Sequence, residues 1–98
     1  MPPIVDCINN PKYIYRFYSN DHEPPHVHVK RTGEWEIRVK FLKCTEDFLD
    51  YNFAIPSNRK VSKHPLLSKV EKEILKDILP AKEKLYEEWR LKVNRGQL

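Results

Sequence analysis

The sequence predicts an α+β fold, in which a four-stranded antiparallel meander sheet is covered on one face by C-terminal helical structure. Two observations lead to this prediction. Between residues 12 and 55 apolar side chains recur at every second position, the period of a strand with one buried face. From residue 65 they recur at spacings of three and four, the period of an amphipathic helix. Because a chain of 98 residues closes one hydrophobic core, residues 1–98 are predicted to form a single domain.

The predicted strands are four runs whose apolar members all occupy odd positions. Turn-forming residues separate these runs at 19–25, at Thr32-Gly33 and at 44–47, and such short breaks are typical of antiparallel neighbours. We therefore expect the odd positions to face the core. They are Tyr13, Tyr15, Phe17, Val27, Val29, Trp35, Ile37, Val39, Phe41, Leu49, Tyr51, Phe53 and Ile55.

The helical part is predicted over residues 65–95. Pro65 suits a first helical turn, and Gly96 suits a position just beyond the last. Pro80 lies inside the pattern, where proline removes a backbone donor and clashes with the carbonyl four residues earlier. The sequence therefore predicts either one kinked helix or two consecutive helices. The apolar stripe consists of Leu67, Val70, Ile74, Ile78, Ala81, Leu85, Trp89 and Val93.

The net charge of +4 is unevenly distributed along the chain. Residues 1–55 carry 7 Lys and Arg against 8 Asp and Glu, whereas residues 56–98 carry 11 against 6. A basic connection, residues 56–64, holds Arg59, Lys60 and Lys63. These side chains are candidates for contact with phosphate or with an acidic protein, and the alternative is a solvated linker.

Several classes of protein are not favoured. We expect no membrane partner and a cytoplasmic location, because no apolar window is long enough for a membrane span and the N-terminus lacks the pattern of a signal peptide. Only two glycines are present, which argues against a glycine-rich phosphate loop. Cys7 and Cys44 are far apart without a CxxC pattern, so we expect reduced cysteines that serve packing.

If the odd positions face the helices, the even positions share the opposite face of the sheet, which we call the even face. This face is the candidate working surface, because it combines cations, histidines and one aromatic residue, Tyr18, that is placed for stacking. Its members are Arg16, Tyr18, His26, His28, Lys30, Glu36, Arg38 and Lys40.

Three of the four histidines, His22, His26 and His28, fall within seven residues. Imidazole titrates nearest to neutral pH and is the commonest metal ligand, so this cluster is the strongest indication of chemistry in the chain. His26 and His28 are two apart on one strand and should point the same way, with Cα atoms ~6.6 Å apart. The prolines before them, Pro24 and Pro25, stiffen the preceding loop.

A small bacterial family catalogued as domain of unknown function 4160 resembles this chain most closely in the run Tyr15 to Val29, with its segment Asn20-Asp21-His22-Glu23-Pro24-Pro25-His26-Val27-His28. Weaker similarity continues through Gly33-Glu34 and residues 59–62 to Trp89. The resemblance implies a compact prokaryotic protein without a settled activity, of the kind encoded in toxin-antitoxin-like or mobile-element cassettes. Pro80 departs from the uninterrupted helix that is usual in this family.

Four hypotheses for the histidines remain open, and the sequence does not decide whether the protein is an enzyme. The first is a binding module whose even face grips nucleic acid, RNA above all, or a small cognate protein of acidic character. The second is a zinc or other divalent transition-metal site with His22, His26, His28 and Asp21 as ligands. The third is a phosphodiesterase or ribonuclease that uses His26 and His28 as acid and base. The fourth is a purely structural role.

Overall fold

The computed structural model describes residues 4–18, 24–54 and 66–93. They form a four-stranded antiparallel sheet in the order β1-β2-β3-β4, followed by two joined helices. The predicted α+β meander is therefore confirmed. The elements are β1 (Ile14–Arg16), β2 (Val27–Arg31), β3 (Trp35–Val39), β4 (Tyr51–Phe53), α1 (Ser68–Ile78) and α2 (Lys82–Lys92).

A tight hairpin joins β2 to β3 and sets their register. Arg31 lies opposite Trp35, and the amide of Glu34 donates to the carbonyl of Arg31 at 2.9 Å. Gly33 has φ 80°, a left-handed conformation that costs glycine little and other residues more. The break predicted at Thr32-Gly33 is thus where the chain reverses.

The connection from β3 to β4 is longer and contains a single 3-10 turn, Phe41–Lys43. A second turn follows, in which Thr45 and Phe48 exchange backbone hydrogen bonds of 2.9 and 3.2 Å. Lys82, at the start of α2, donates its Nζ to the carbonyl of Cys44. The connection is therefore tied to the helical layer.

The odd positions of the sheet form one side of the core, as the alternation predicts. Phe17 lies at its centre, with ring centroids 5.7 Å from Trp89 and 6.4 Å from Phe41. Trp35, Tyr51 and Phe53 are half-buried at its margin. Ile55 lies outside the described residues. The buried members of the odd set are Tyr13, Tyr15, Phe17, Val27, Val29, Ile37, Val39, Phe41 and Leu49.

Three tyrosine hydroxyls attach the sheet to α1. Their phenol rings pack with the core while each hydroxyl reaches a carboxylate on the helix, so the helix is fixed in position along the sheet as well as against it. Burial and Asp77 together raise the pKa of Tyr15, and burial and Glu73 raise the pKa of Tyr13 to about 12. The donor–acceptor pairs are Tyr13–Glu73 at 2.7 Å, Tyr15–Asp77 at 2.7 Å and Tyr51–Glu71 at 3.1 Å.

Pro80 is accommodated by one 3-10 turn, Leu79–Ala81, which joins α1 directly to α2. The tighter turn absorbs the missing proline donor without breaking the apolar stripe, since Ile78, Ala81 and Leu85 are all buried. Neither this helical pair nor any other helix within the described ranges is long and apolar enough to cross a membrane.

The ends of the helical part differ from the predicted 65–95. Leu67 is extended and 73% exposed, so it is outside both the helix and the stripe, and α1 begins at Ser68. The reason is that Leu66 donates its amide to the Tyr51 hydroxyl, which holds the chain at the sheet before the helix starts. At the other end Val93 is extended and buried, and α2 stops at Lys92. Pro65 and Gly96 lie outside the described residues.

The N-terminal segment adds to the core, which the alternation did not predict. Ile4 forms an antiparallel bridge with Arg16 at the outer edge of β1, and the Val5 amide donates to the Tyr15 carbonyl at 2.9 Å. Val5 and Ile8 are buried. The segment therefore covers an edge of the sheet that would otherwise present unpaired backbone groups.

Glu88 of α2 holds this segment in place. Its two carboxylate oxygens accept from the amides of Asp6 at 2.8 Å and Cys7 at 2.9 Å, and Lys92 donates to it at 2.7 Å. Burial raises the pKa of Glu88, but these hydrogen bonds outweigh burial, so its pKa lies below the ordinary value. Glu88 and Lys92 thus form an ion pair one helical turn apart, and Glu88 also holds the N-terminal segment.

Both cysteines are free thiols with a packing role, in agreement with the sequence analysis. Cys44 is buried, and its Sγ lies 3.4 Å from the donating amide of Asp50. Burial raises the pKa of Cys44, and burial together with Glu88 raises the pKa of Cys7 to about 12.

Replacing Glu88 should destabilise the protein in a pH-dependent way. A carboxylate whose folded pKa is lowered stabilises the fold above its unfolded pKa and loses that contribution as pH falls through the folded pKa. We expect Glu88→Gln to lower the free energy of unfolding by about 1 kcal/mol at neutral pH, since the site is partly exposed and water screens it. The difference should shrink below about pH 4.3. Urea denaturation across this pH range measures it.

Glu87→Gln is the matched control, because Glu87 is exposed on the same helix. A loss of stability in Glu88→Gln that is the same at acid and neutral pH would contradict the assigned role of the charge.

Candidate functional site

The even face presents a row of side chains that runs across the whole sheet. Arg16 of β1 pairs with His28 of β2, His28 with Arg38 of β3, and Arg38 with Asn52 of β4. Neighbours in such a row lie on strands ~4.8 Å apart and point the same way. A second row places Lys30 opposite Glu36. The structure thus assembles on one face the strand residues that the alternation placed there.

His28 is enclosed at the middle of this face. It is 7% exposed, the only buried polar or charged residue in the described part of the chain. The Tyr18 ring lies 4.3 Å away between centroids, edge to face, and the His26 ring lies 5.1 Å away. His28 is therefore not open to solvent on the candidate working surface, because the rings of Tyr18 and His26 cover it.

Glu36 connects two of these groups through one oxygen. Its Oε2 lies 3.3 Å from His28 Nδ1, the distance of an ion pair rather than of a well-aligned hydrogen bond, and it accepts a hydrogen bond from the Tyr18 hydroxyl at 3.3 Å. Burial and then the Glu36 charge raise the pKa of Tyr18, and Arg16 opposes them in part. Glu36 is thus the carboxylate of the site. The alternation placed Glu36 on this face without indicating a role for it.

His26 stands at the start of β2, where the even face meets the core. Its Nδ1 donates to the Pro24 carbonyl at 3.0 Å, and since a carbonyl only accepts, this contact places the proton on Nδ1. Its ring centroid lies 5.3 Å from that of Trp89. Trp89 is therefore the buried core residue that was predicted, and it also contacts the site.

The cations of this face differ in exposure. Arg38 is exposed, while Arg16, Lys30 and Lys40 are half-buried. The Arg16 Nε is buried without a hydrogen-bond partner among the described residues, an uncommon condition that is characteristic of strained or functional positions. The cations are thus spread over several strands, and Glu36 is the one carboxylate within those strands.

Some predicted site residues lie outside the described ranges. They are Asp21, His22, Arg59, Lys60 and Lys63, and their assigned roles remain predictions. Within the ranges that the structure describes, no three His, Cys, Asp or Glu side chains are grouped to hold a metal ion. Of the four proposed ligands, only His26 and His28 have a described position, and their proposed acid and base roles remain hypotheses.

Comparison with known proteins identifies the family. A family model described as "Domain of unknown function (DUF4160)" matches residues 13–90, and this chain belongs to that family. The match covers all four strands and most of the helical part, so the predicted resemblance is confirmed. No curated protein and no solved structure matches the chain. The family carries no established activity, and any function must be argued from the site.

The assigned contact between Glu36 and Tyr18 is testable through the tyrosine itself. We expect Glu36→Gln to lower the pKa of Tyr18 toward the ordinary value, because removal of the neighbouring negative charge makes the phenolate less unfavourable. NMR titration of protein labelled with carbon-13 at the tyrosine ring measures this pKa. Glu34→Gln is the control, since Glu34 pairs with Arg31 at the hairpin. An unchanged Tyr18 pKa in Glu36→Gln would contradict the contact.

Proposed function

We propose that the protein is a binding module that holds single-stranded nucleic acid, RNA above all, across its even face. The observation that supports this most is the row Arg16–His28–Arg38, which places two guanidinium groups and an imidazole across three neighbouring strands. Lys30 adds a further cation to the same face. A chain of phosphates lying across the strands would meet the cations of this face, Arg16, Lys30 and Arg38, in succession, while His28 lies enclosed between them.

The arrangement favours contact with phosphates over reading of bases. Guanidinium groups form paired hydrogen bonds to phosphate oxygens, and the exposed Arg38 is well placed for this. Tyr18 was predicted as a stacking residue, but its hydroxyl binds Glu36 and its ring packs on His28. Binding through phosphates implies weak sequence preference and strong dependence on salt.

The shape of the face favours a single strand. The face of an antiparallel sheet suits an extended chain, and sheet faces bind single-stranded RNA in known recognition modules. Glu36 does not prevent this, because its carboxylate lies beside His28 and accepts a hydrogen bond from the Tyr18 hydroxyl. The cations of the basic connection, Arg59, Lys60 and Lys63, would extend the surface if they adjoin it, which remains a prediction.

Removing two cations from the even face should weaken RNA binding. We expect the double variant Lys30→Ala/Arg38→Ala to lose about tenfold or more in affinity for a short fluorescent RNA at low salt. The slope of log affinity against log salt should also fall by about 0.7 for each lost phosphate contact. Fluorescence anisotropy at several salt concentrations measures both quantities.

Lys84→Ala/Arg90→Ala is the matched control, since it removes the same charge from exposed positions of α2. Equal loss in the two double variants would show only a net-charge effect and would contradict the proposal. If poly-glutamate bound as tightly as RNA, the proposed nucleic-acid partner would be wrong and an acidic protein would be the partner instead. If the wild-type protein shortened the RNA and the His26→Ala variant did not, the proposed function would be wrong and the protein would be a ribonuclease.

A further inference from the structure

The two edges of the sheet differ in what lies beside them. Next to β1, Ile4 forms a bridge with Arg16, so the N-terminal segment occupies that edge. At the opposite edge, no strand within the described ranges pairs with the outer side of β4. A strand with unpaired backbone groups along one side is a template for pairing with another chain.

The register of β3 and β4 identifies the backbone groups that face outward. Lys40 donates its amide to the Asp50 carbonyl at 2.9 Å, which makes these two residues a hydrogen-bonded pair of the ladder. Such pairs recur at every second residue of an antiparallel ladder, so Asn52 also directs its backbone groups toward β3. The amides and carbonyls of Tyr51 and Phe53 therefore point away from the sheet.

The side chains at this edge are uncharged and partly exposed. Tyr51 and Phe53 are half-buried, and Asn52 is exposed on the even face. Leu67 is 73% exposed although the apolar stripe predicts its burial, and it directly follows Leu66, whose amide binds the Tyr51 hydroxyl. The strand thus carries neither the lysine nor the proline that commonly prevents pairing at an edge, and an exposed apolar side chain adjoins it.

We propose that a second copy of this chain pairs antiparallel with β4, about a twofold axis that passes beside Asn52. In this register Tyr51 lies opposite Phe53 of the second copy, and their outward amides and carbonyls form hydrogen bonds in both directions. Asn52 lies opposite its own counterpart in a non-hydrogen-bonded pair, with Cα atoms ~4.5 Å apart. At that distance the two side-chain amides can bind each other.

The composition of the strand favours a second copy as the occupant. A twofold pairing brings identical strands together, so a charge at the centre of the strand would meet a like charge. β4 has no charged side chain, and its two aromatic residues would form cross-strand pairs with those of the second copy. The pairing would also cover Leu67, the apolar side chain that one copy leaves exposed.

Pairing at β4 would join the even faces of the two copies. The four strands of one copy span ~14 Å between the outermost strands, whereas eight paired strands would span ~34 Å. The row of cations in one copy would then continue, beyond β4, into Arg38 and Arg16 of the second copy. This longer surface for RNA rests on the proposed function, but the pairing itself does not.

Sedimentation velocity of the full chain without nucleic acid measures the association. We expect a concentration-dependent exchange between one copy and two. Asn52→Lys and Asn52→Asp should each weaken association by about tenfold or more, because like charges then face each other in the closest pair. An equimolar mixture of these two variants should restore association, because opposite charges then face each other.

Thr32→Lys and Thr32→Asp are the matched controls, because Thr32 is exposed at the hairpin and lies outside β4. These variants should associate as the wild-type protein does. Circular dichroism verifies the fold of the Asn52 variants, whose altered side chain is exposed. Amide hydrogen exchange provides a second readout that needs no variant, since exchange at Tyr51 and Phe53 should slow as the protein concentration rises.

A wild-type protein that stays a single copy at every concentration would overturn the proposal, as would a mixture of the two Asn52 variants that does not associate. Unchanged association of Asn52→Lys would also contradict it. Slow exchange at Tyr51 and Phe53 in dilute protein would show that the chain covers this edge itself. Because no nucleic acid is present, a failure here leaves the RNA-binding measurement unaffected, and the reverse also holds.

Discussion

The pleat of β2 is the constraint on which the rest of the structure depends. Val27 and Val29 of this strand must face the core, and the alternation of a strand then directs His26, His28 and Lys30 to the other side. Since β2 lies between β1 and β3, the register that buries its valines also aligns His28 with Arg16 and Arg38. A slip of one residue would exchange the two faces. The site is therefore specified by the same pairing that builds the core.

Those parts of the structure that depend on local period were predictable from the sequence. The alternation identified the strands and the membership of the even face, and the spacing of three and four identified the buried stripe through Pro80. Features that depend on distant contacts were not predictable. Glu88 meets the amides of Asp6 and Cys7 across the fold, and the Tyr15 hydroxyl meets Asp77 on the helix. The enclosure of His28 depends likewise on where the rings of Tyr18 and His26 lie, which spacing alone does not determine.

The proposed phosphate contact relies on cations that are distributed over several strands of the even face. His28 lies between Arg16 and Arg38 in the strand register, and Glu36 beside it adds a negative charge to this cationic face. Trp89 links this region to the core through its contacts with His26 and Phe17.

The cysteines bear on the chemical durability of the chain. Thiol oxidation and disulfide exchange both proceed through the thiolate, whose fraction falls about tenfold for each unit by which the pKa rises. With the pKa of Cys7 near 12 and that of Cys44 also raised, both thiols are scarcely ionised at neutral pH. Folding therefore makes both side chains poor nucleophiles. Thiol–disulfide exchange at these two side chains should consequently be slow in the folded protein, most of all at the buried Cys44.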